Sequence, residues 1–137
     1  FDAAYLPTAG HEYLPGFVGI WVLAGEAHLT TIAVRQTDRG KGVGEMLIIA
    51  AILRAYQLDC SFVTLELRVS NMVAQNLYLR YGFEEVGIRR GYYTDNREDA
   101  RLMSTPKLIS EDYRHQFQKL RAAYAREYAV PLPTIRG

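Results

Sequence analysis

A polar, glycine-rich segment constrains the fold of this chain more than any other feature. It runs from Arg35 to Gly42 and joins an apolar run that ends at Val34 to a long apolar run of helix-forming residues at 43–58. The two patterns predict a strand before the segment and an amphipathic helix after it. Amides at a helix N-terminus lack intrahelical partners, and glycines let an anion approach them closely. The sequence therefore predicts a candidate anion-binding turn between a strand and a helix.

Spacing argues against two common nucleotide-binding loops at this turn. A Walker A loop requires Gly-Lys followed by Ser or Thr, whereas Gly40 and Lys41 are followed by Gly42. A dinucleotide-binding fingerprint requires Gly-x-Gly-x-x-Gly, and here Gly44 comes one position early. An ordinary glycine-rich turn remains the alternative to an anion site.

The rest of the chain alternates between strand and helix patterns. Residues 1–15 contain two prolines and a glycine and are predicted to be irregular. Residues 16–23 form an apolar, β-branched and aromatic run that predicts a strand buried on both faces. The other predicted elements are strands at 27–34, 62–69, 83–90 and 100–105, the last two antiparallel, and helices at 43–58, 71–81 and 110–128. This order predicts a mixed α/β or α+β fold with helices packed on one sheet.

Composition narrows the functional classes. The chain has 137 residues, of which 49% are hydrophobic and 23% charged, a balance typical of one folded domain. A net charge of +1 argues against nucleic-acid and membrane-surface binding. One cysteine, Cys60, and three dispersed histidines argue against a metal site. With no apolar run of about 20 residues and no signal-peptide pattern, we expect a cytoplasmic protein.

The turn resembles motif A of the GNAT acetyltransferase superfamily, Arg/Gln-x-x-Gly-x-Gly/Ala, which Arg39, Gly42 and Gly44 match. Further matches follow in order up to Pro106. They are Leu65-Glu66-Leu67-Arg68-Val69-Ser70-Asn71, Ala74-Gln75-Asn76-Leu77-Tyr78, Tyr81-Gly82-Phe83, Arg89-Arg90-Gly91-Tyr92-Tyr93 and Arg97-Glu98-Asp99-Ala100. These segments are similar to the ribosomal-protein-alanine N-acetyltransferase branch, whose members acetylate the α-amine of a protein N-terminus. The tyrosine pair also resembles the catalytic subunits of eukaryotic N-terminal acetyltransferases.

The resemblance implies acetyl-CoA as cosubstrate and a site for it. The turn amides would hold its pyrophosphate, the strand before the turn its pantetheine and acetyl carbonyl, and Asn71 the CoA arm. The implied cosubstrate-binding residues are Ile32, Ala33, Val34, Arg39, Gly40, Lys41, Gly42, Val43, Gly44, Glu45 and Asn71. For Asn71 the residue type alone indicates a helix N-cap, and the two roles are compatible.

Two residues are candidates for acid–base chemistry. Glu66 matches the family's proton acceptor; a chain α-amine with a pKa near ~8 needs only a weak base. Without the resemblance, the sequence favours a solvated Glu66 side chain on an exposed sheet face. Tyr78 matches the family's proton donor to the departing thiolate, and without the resemblance it is a core tyrosine. Tyr92 and Tyr93 are implied to wall the entrance for the acceptor peptide.

The family implies a mixed, mostly antiparallel sheet with helices on both faces, within an acetyltransferase domain at residues 1–108. Its opening strand and helices are expected to be missing here, and since Phe1 is not Met we expect a trimmed chain or a fragment. Residues 109–137 are expected to form an additional helix and tail. The implied acceptor is a protein N-terminus, for example of a ribosomal protein. The alternatives are a small-molecule amine acetyltransferase and a non-catalytic acetyl-CoA-binding module.

Overall fold

The computed structural model describes residues 2–8, 11–34, 40, 42–128 and 134–136. It contains a single seven-stranded sheet and three helices in this part of the chain. The strands are β1 (Asp2–Thr8), β2 (His11–Leu23), β3 (Glu26–Val34), β4 (Phe62–Arg68), β5 (Glu84–Arg89), β6 (Ala100–Ser104) and β7 (Thr134–Arg136). The helices are α1 (Val43–Gln57), α2 (Met72–Arg80) and α3 (Glu111–Tyr128). None of these helices has both the length and the apolarity needed to cross a membrane.

The sheet is mixed and mostly antiparallel, which confirms the predicted fold class. Its strand order is β5-β6-β4-β3-β2-β1-β7. Strands β3 and β4 pair in parallel, whereas every other neighbouring pair in this order is antiparallel. The predicted hairpin of β5 and β6 is present, with Glu84 opposite Ser104 and Arg89 opposite Ala100.

The described helices lie on one face of the sheet, where the resemblance implied helices on both. The chain passes from β3 to β4 and on to β5 in one direction across the sheet, and these three strands run parallel to one another. Right-handed crossovers between parallel strands then place α1 and α2 on the same face. Helix α3 packs beside them, and its Tyr113 hydroxyl donates a hydrogen bond of 2.8 Å to the carbonyl of Tyr81.

The start of the chain differs from the prediction. Residues predicted as irregular form β1 and the beginning of β2, so a strand does precede the segment that begins at Gly16. Ala4 lies opposite Gly16 and Leu6 opposite Tyr13, with a register irregularity between these pairs. Pro15 falls within this irregularity, a kind of position at which strands accept proline. Pairing with neighbouring strands therefore overrides the local signal of the prolines.

Strand β2 is buried on one face only, so the prediction of burial on both faces is wrong. Val18 is fully buried against the helices. On the other side, Trp21 is 66% exposed and Leu23 is 69% exposed. Alternate side chains of a strand point to opposite faces, and the described helices cover only one of them.

The buried side chain of Thr105 holds the position at which β4 begins. Its Oγ1 accepts a hydrogen bond of 3.0 Å from the Val63 N–H, and its own N–H donates one of 2.9 Å to the Val63 carbonyl. We predict that Thr105→Val, which keeps the shape but leaves the Val63 N–H unpaired, lowers the free energy of unfolding by about 1–3 kcal/mol in urea titrations. Thr31→Val, at an exposed position, is the control. Equal stability of both variants would contradict the role given to this hydroxyl.

Candidate active site

Strands β3 and β4 separate halfway along their length. They pair over only four positions, from Glu26 opposite Phe62 to Leu29 opposite Leu65. In the paired half, the side chains of His28 and Thr64 are joined by a hydrogen bond of 2.9 Å. Beyond it, β3 continues to Val34 paired only with β2. Backbone N–H and C=O groups on the β4-facing edge of that half are not paired with β4. Because polar backbone groups in a cleft require partners, these groups are available to a ligand.

A cavity of about 340 Å³ lies beside this separation. Helices α1 and α2, the end of β4 and the loop before β6 all contribute to its wall. Its lining residues are Ile32, Gly44, Ile48, Glu66, Leu67, Arg68, Asn71, Ala74, Leu77, Tyr78 and Tyr93. Six of the residues predicted from the sequence therefore meet at one cavity: Ile32, Gly44, Glu66, Asn71, Tyr78 and Tyr93. The structure thus brings both candidate acid–base residues to the same opening.

Glu66 lies half-buried on β4, on the face opposite the core side chains Leu65 and Leu67. It has a partner that sequence reasoning did not identify. The neighbouring Glu66 carboxylate is the largest of the causes that raise the pKa of Tyr92. Tyr92, predicted only as a substrate contact, therefore also lies beside the candidate base.

Tyr78 lies on α2 with its ring against Phe83, at a centroid distance of 5.4 Å. Burial raises the pKa of Tyr78 to about 12. Its hydroxyl therefore stays protonated throughout the neutral range and is available as a hydrogen-bond or proton donor. Tyr78 is thus a packed tyrosine that also lines the cavity, and its role as proton donor stays a prediction.

The glycine turn leads directly into α1. Gly42 is the N-cap residue, with φ +79° and no side-chain cap, and Gly40 is exposed with φ +81°. The first amides of α1 therefore have no capping side chain, at the end of the helix where its dipole favours an anion. Val43 is buried in the core, so it can contribute only its backbone. Arg39 and Lys41, two predicted members of the turn, lie outside the described residues.

Among the described residues of the predicted turn, Glu45 is the one with a buried charged side chain. Its carboxylate accepts a hydrogen bond of 2.6 Å from the Tyr81 hydroxyl and lies 3.5 Å from the Arg80 guanidinium. Burial, followed by this carboxylate, raises the pKa of Tyr81. The side chain of Glu45 is thus engaged by α2 and its C-cap, and its backbone amide is the group available to the turn.

Asn71 acts as the predicted N-cap of α2. Its Oδ1 accepts a hydrogen bond of 3.2 Å from the Ala74 N–H, and the residue also lines the cavity. Ala33 and Val34 are half-buried on β3, on the strand whose edge opens beyond Leu29. Their predicted contribution through the backbone is compatible with this position.

The loop between β5 and β6 that carries Tyr92 and Tyr93, the tyrosine loop, is held against the end of β4 by Arg68. Sequence reasoning gave Arg68 no role. Its guanidinium lies 3.0 Å from Asp95, 3.3 Å from Glu98 and 4.0 Å from the ring centroid of Tyr93. Tyr92 packs edge-on against Tyr93, with centroids 5.1 Å apart. The loop therefore has a fixed position beside Glu66. The sequence held one signal for Arg68, its position on the polar face of β4 together with Glu66.

In the part of the chain that the structure describes, no group of three or more His, Cys, Asp or Glu side chains could hold a metal ion.

A model of the acetyltransferase (GNAT) family matches residues 8–83, more than half of the chain. The chain belongs to the GNAT acetyltransferase family. The matched stretch contains the glycine turn, Glu66 and Tyr78, and the resemblance drawn from the sequence is confirmed.

Individual relatives point to N-acetyltransferases. A putative ribosomal protein bS18-alanine N-acetyltransferase of Bacillus subtilis is 42% identical over 101 residues, covering 74% of this chain and 67% of the relative. The crystal structure of the ribosomal-protein-S18-alanine N-acetyltransferase from Escherichia coli superposes with a TM-score of 0.67 and 34% identity, over 80% of this chain and 73% of that one. A chain of the NatC complex, solved with Gag peptide and CoA, superposes with a TM-score of 0.61 and 28% identity. The match covers 68% of this chain and 61% of that one. Several other curated relatives are matched over only 50–59% of their length.

The two glycines at the start of α1 should respond oppositely to alanine. Gly42 has a left-handed backbone, so Gly42→Ala is predicted to lower the free energy of unfolding by about 1–2 kcal/mol. Gly44 is helical, and an added Cβ would meet only Leu77, at 3.9 Å. Gly44→Ala is therefore predicted to raise the free energy of unfolding by about 0.5–1 kcal/mol. Urea unfolding measures both, and a stabilising Gly42→Ala would contradict the left-handed turn.

Proposed function

We propose that this protein transfers the acetyl group of acetyl-CoA to the α-amine of a protein N-terminus. The observation that carries the proposal is the cavity at the separation of β3 and β4, which brings Glu66 and Tyr78 together beside the start of α1. A thioester donor needs a binding site for its anionic arm, a base for the incoming amine and an acid for the departing thiolate. The described residues offer a candidate for each.

Acetyl-CoA would bind along the opening between the two strands. The uncapped amides of residues 42–45 suit its diphosphate, since they combine unpaired N–H groups with the positive end of the α1 dipole. The open edge of β3 at residues 32–34 offers backbone donors and acceptors to the amide-containing pantetheine, and Asn71 lies at the same cavity. The NatC relative solved with CoA supports this choice of cosubstrate.

Glu66 is the proposed general base. The α-amine of a peptide has a pKa of about 8, so near neutral pH it must lose a proton before it attacks the thioester carbonyl. A half-buried carboxylate beside Tyr92 can accept this proton directly or through one water. The amine nitrogen adds to the thioester carbonyl to give a tetrahedral intermediate, and the C–S bond then breaks as the carbonyl re-forms and the thiolate leaves.

Tyr78 is the proposed acid. The thiol of CoA has a pKa of about 8.5, lower than that of a tyrosine. The phenol is therefore still protonated when negative charge develops on the sulfur, and it can stabilise that charge by donating a hydrogen bond or a proton. Since burial raises the pKa of Tyr78 to about 12, the donor form is present throughout the neutral range. Tyr78 and Glu66 thus serve opposite ends of one transfer.

A protein N-terminus is the proposed acceptor. The tyrosine loop stands beside Glu66 and presents Tyr92, which is 43% exposed, to an incoming chain. Relatives named for the alanine N-terminus of ribosomal protein bS18 support a ribosomal protein as the acceptor. A cytoplasmic location accords with such an acceptor.

We predict acetylation of peptide α-amines and its loss in Glu66→Gln. The variant should lower kcat by about 10- to 1,000-fold because a general base is removed, while the affinity for CoA changes little. Glu84→Gln, at an exposed position at the start of β5, is the matched control. The assay offers N-terminal peptides, polyamines and aminoglycosides and detects products by mass spectrometry.

Three results of this assay would contradict the proposal. Transfer to small amines alone would replace the protein acceptor with a small-molecule one. Tight CoA binding without any transfer would indicate a non-catalytic binding module. Equal turnover of Glu66→Gln and Glu84→Gln would remove the role of Glu66 as base.

The pH profile should separate the two roles. We predict that kcat/KM rises up to about pH 8 as the acceptor amine loses its proton, and then stays level to pH 10. The raised pKa of Tyr78 favours the protonated donor, which is lost only as the pH rises through about 12. Tyr78→Phe should lower kcat/KM by at least about tenfold at every pH without moving the pH at which kcat/KM rises. Tyr56→Phe, a change outside the cavity, should leave both kcat/KM and its pH dependence unchanged. A falling limb below pH 10 that Tyr78→Phe abolishes would contradict the raised pKa.

A further inference from the structure

The last turns of α3 contact the glycine turn. The Tyr124 hydroxyl donates a hydrogen bond of 3.1 Å to the Gly42 carbonyl, and Tyr124 is only 3% exposed. The ring of Tyr128 packs directly on Gly42, since a Cβ built there would lie 2.6–2.9 Å from three of its ring atoms. The two rings also pack against each other, with centroids 4.7 Å apart. A helix that follows the family-matched stretch thus reaches the start of α1.

These contacts act on the peptide group that starts α1. The Gly42 carbonyl also accepts the first hydrogen bond of the helix, 3.0 Å from the Met46 N–H. Gly42 has no side-chain cap, and its left-handed backbone is one that a glycine can leave at little cost. Tyr124 and Tyr128 therefore supply the restraint that a capping side chain would otherwise give.

The opposite side of the turn is held by α2. There the Tyr81 hydroxyl and Arg80 engage the Glu45 carboxylate. Tyr124 lies close enough for the Glu45 charge to add to the effect of burial, and together they raise the pKa of Tyr124 to about 12. The turn at residues 42–45 is thus held between the end of α2 and the end of α3.

We propose that α3 belongs to the acetyl-CoA site, with Tyr124 and Tyr128 as positioning residues that orient the amides of residues 42–45 toward the diphosphate. The inference rests on the proposed function, because it assigns that turn to the same cosubstrate. Neither tyrosine needs to touch the ligand. A helix N-terminus binds an anion only when its N–H groups converge on one point, and holding them so before binding lowers the entropic cost of binding.

The test measures CoA affinity by isothermal titration calorimetry on the full chain. Tyr124→Phe removes only the hydroxyl bonded to Gly42, and we expect the Kd for CoA to rise about three- to tenfold. Tyr56→Phe is the matched control, since it removes a hydroxyl that donates a 2.7 Å hydrogen bond to the Leu108 carbonyl, away from the turn. Tyr128→Ala should weaken CoA binding, and Tyr128→Phe, which keeps the ring, should restore part of the loss.

Two further measurements distinguish positioning from general stability. The KM for acetyl-CoA should rise with the Kd in Tyr124→Phe, whereas kcat at saturation should fall by less than about twofold. Amide hydrogen exchange at the first turn of α1, without CoA, should be faster in Tyr124→Phe than in Tyr56→Phe.

The outcomes separate the inference from the function on which it rests. If the wild-type chain binds CoA and Tyr124→Phe binds it equally tightly, the role of α3 is overturned and the proposed function stands. If Tyr124→Phe and Tyr56→Phe weaken binding equally, the effect is one of stability and the inference fails. If the wild-type chain binds no CoA, the proposed function and the inference fall together.

Discussion

The separation of β3 and β4 is the constraint on which the rest of the site depends. A parallel ladder that continued beyond Leu29 and Leu65 would pair every backbone group and leave no opening between the strands. Because it stops there, one edge of β3 is open to a ligand, and β4 carries Glu66 away from the paired region. The same separation gives the cavity access to α1 and α2, which bring the glycine turn and Tyr78. One local interruption of the sheet therefore assembles groups that lie far apart in the sequence.

The two proposed acid–base residues differ in how the fold treats them. Tyr78 is packed against Phe83, and its burial keeps the phenol protonated. Glu66 stands on the less covered face, where its partner Tyr92 belongs to a loop held by Arg68. A donor gains from a surrounding that disfavours its charged form, whereas a base must remain open to its acceptor and to water. The asymmetry of the sheet, covered by the described helices on one face only, gives each residue a surrounding that suits its proposed role.

The sequence predicted the elements that carry their own signal and failed where pairing or packing decides. Helix α2 was predicted with its N-cap because Asn71 caps it locally, through a hydrogen bond to the Ala74 N–H. Strand β1 was not, because its pairing with β2 overrides two prolines, and neither was β7, which forms only by pairing with β1. The contact between Tyr92 and Glu66 joins residues 26 positions apart, and spacing along one chain carries no signal for such a contact.

The relation of α3 to the rest of the chain follows from its buried side chains. Tyr113, Phe117 and Tyr124 belong to the same hydrophobic cluster as α1 and the sheet, so removing α3 would expose that cluster as well as the turn. The boundary at residue 108 stays a prediction about where the common family core ends. Side-chain contacts of the hydrophobic core cross this boundary, and a continuous apolar core gains its stability from contacts on both sides of it. Helix α3 thus covers apolar surface and, through the Tyr124 hydroxyl in its last turns, also bonds the turn beside which it packs.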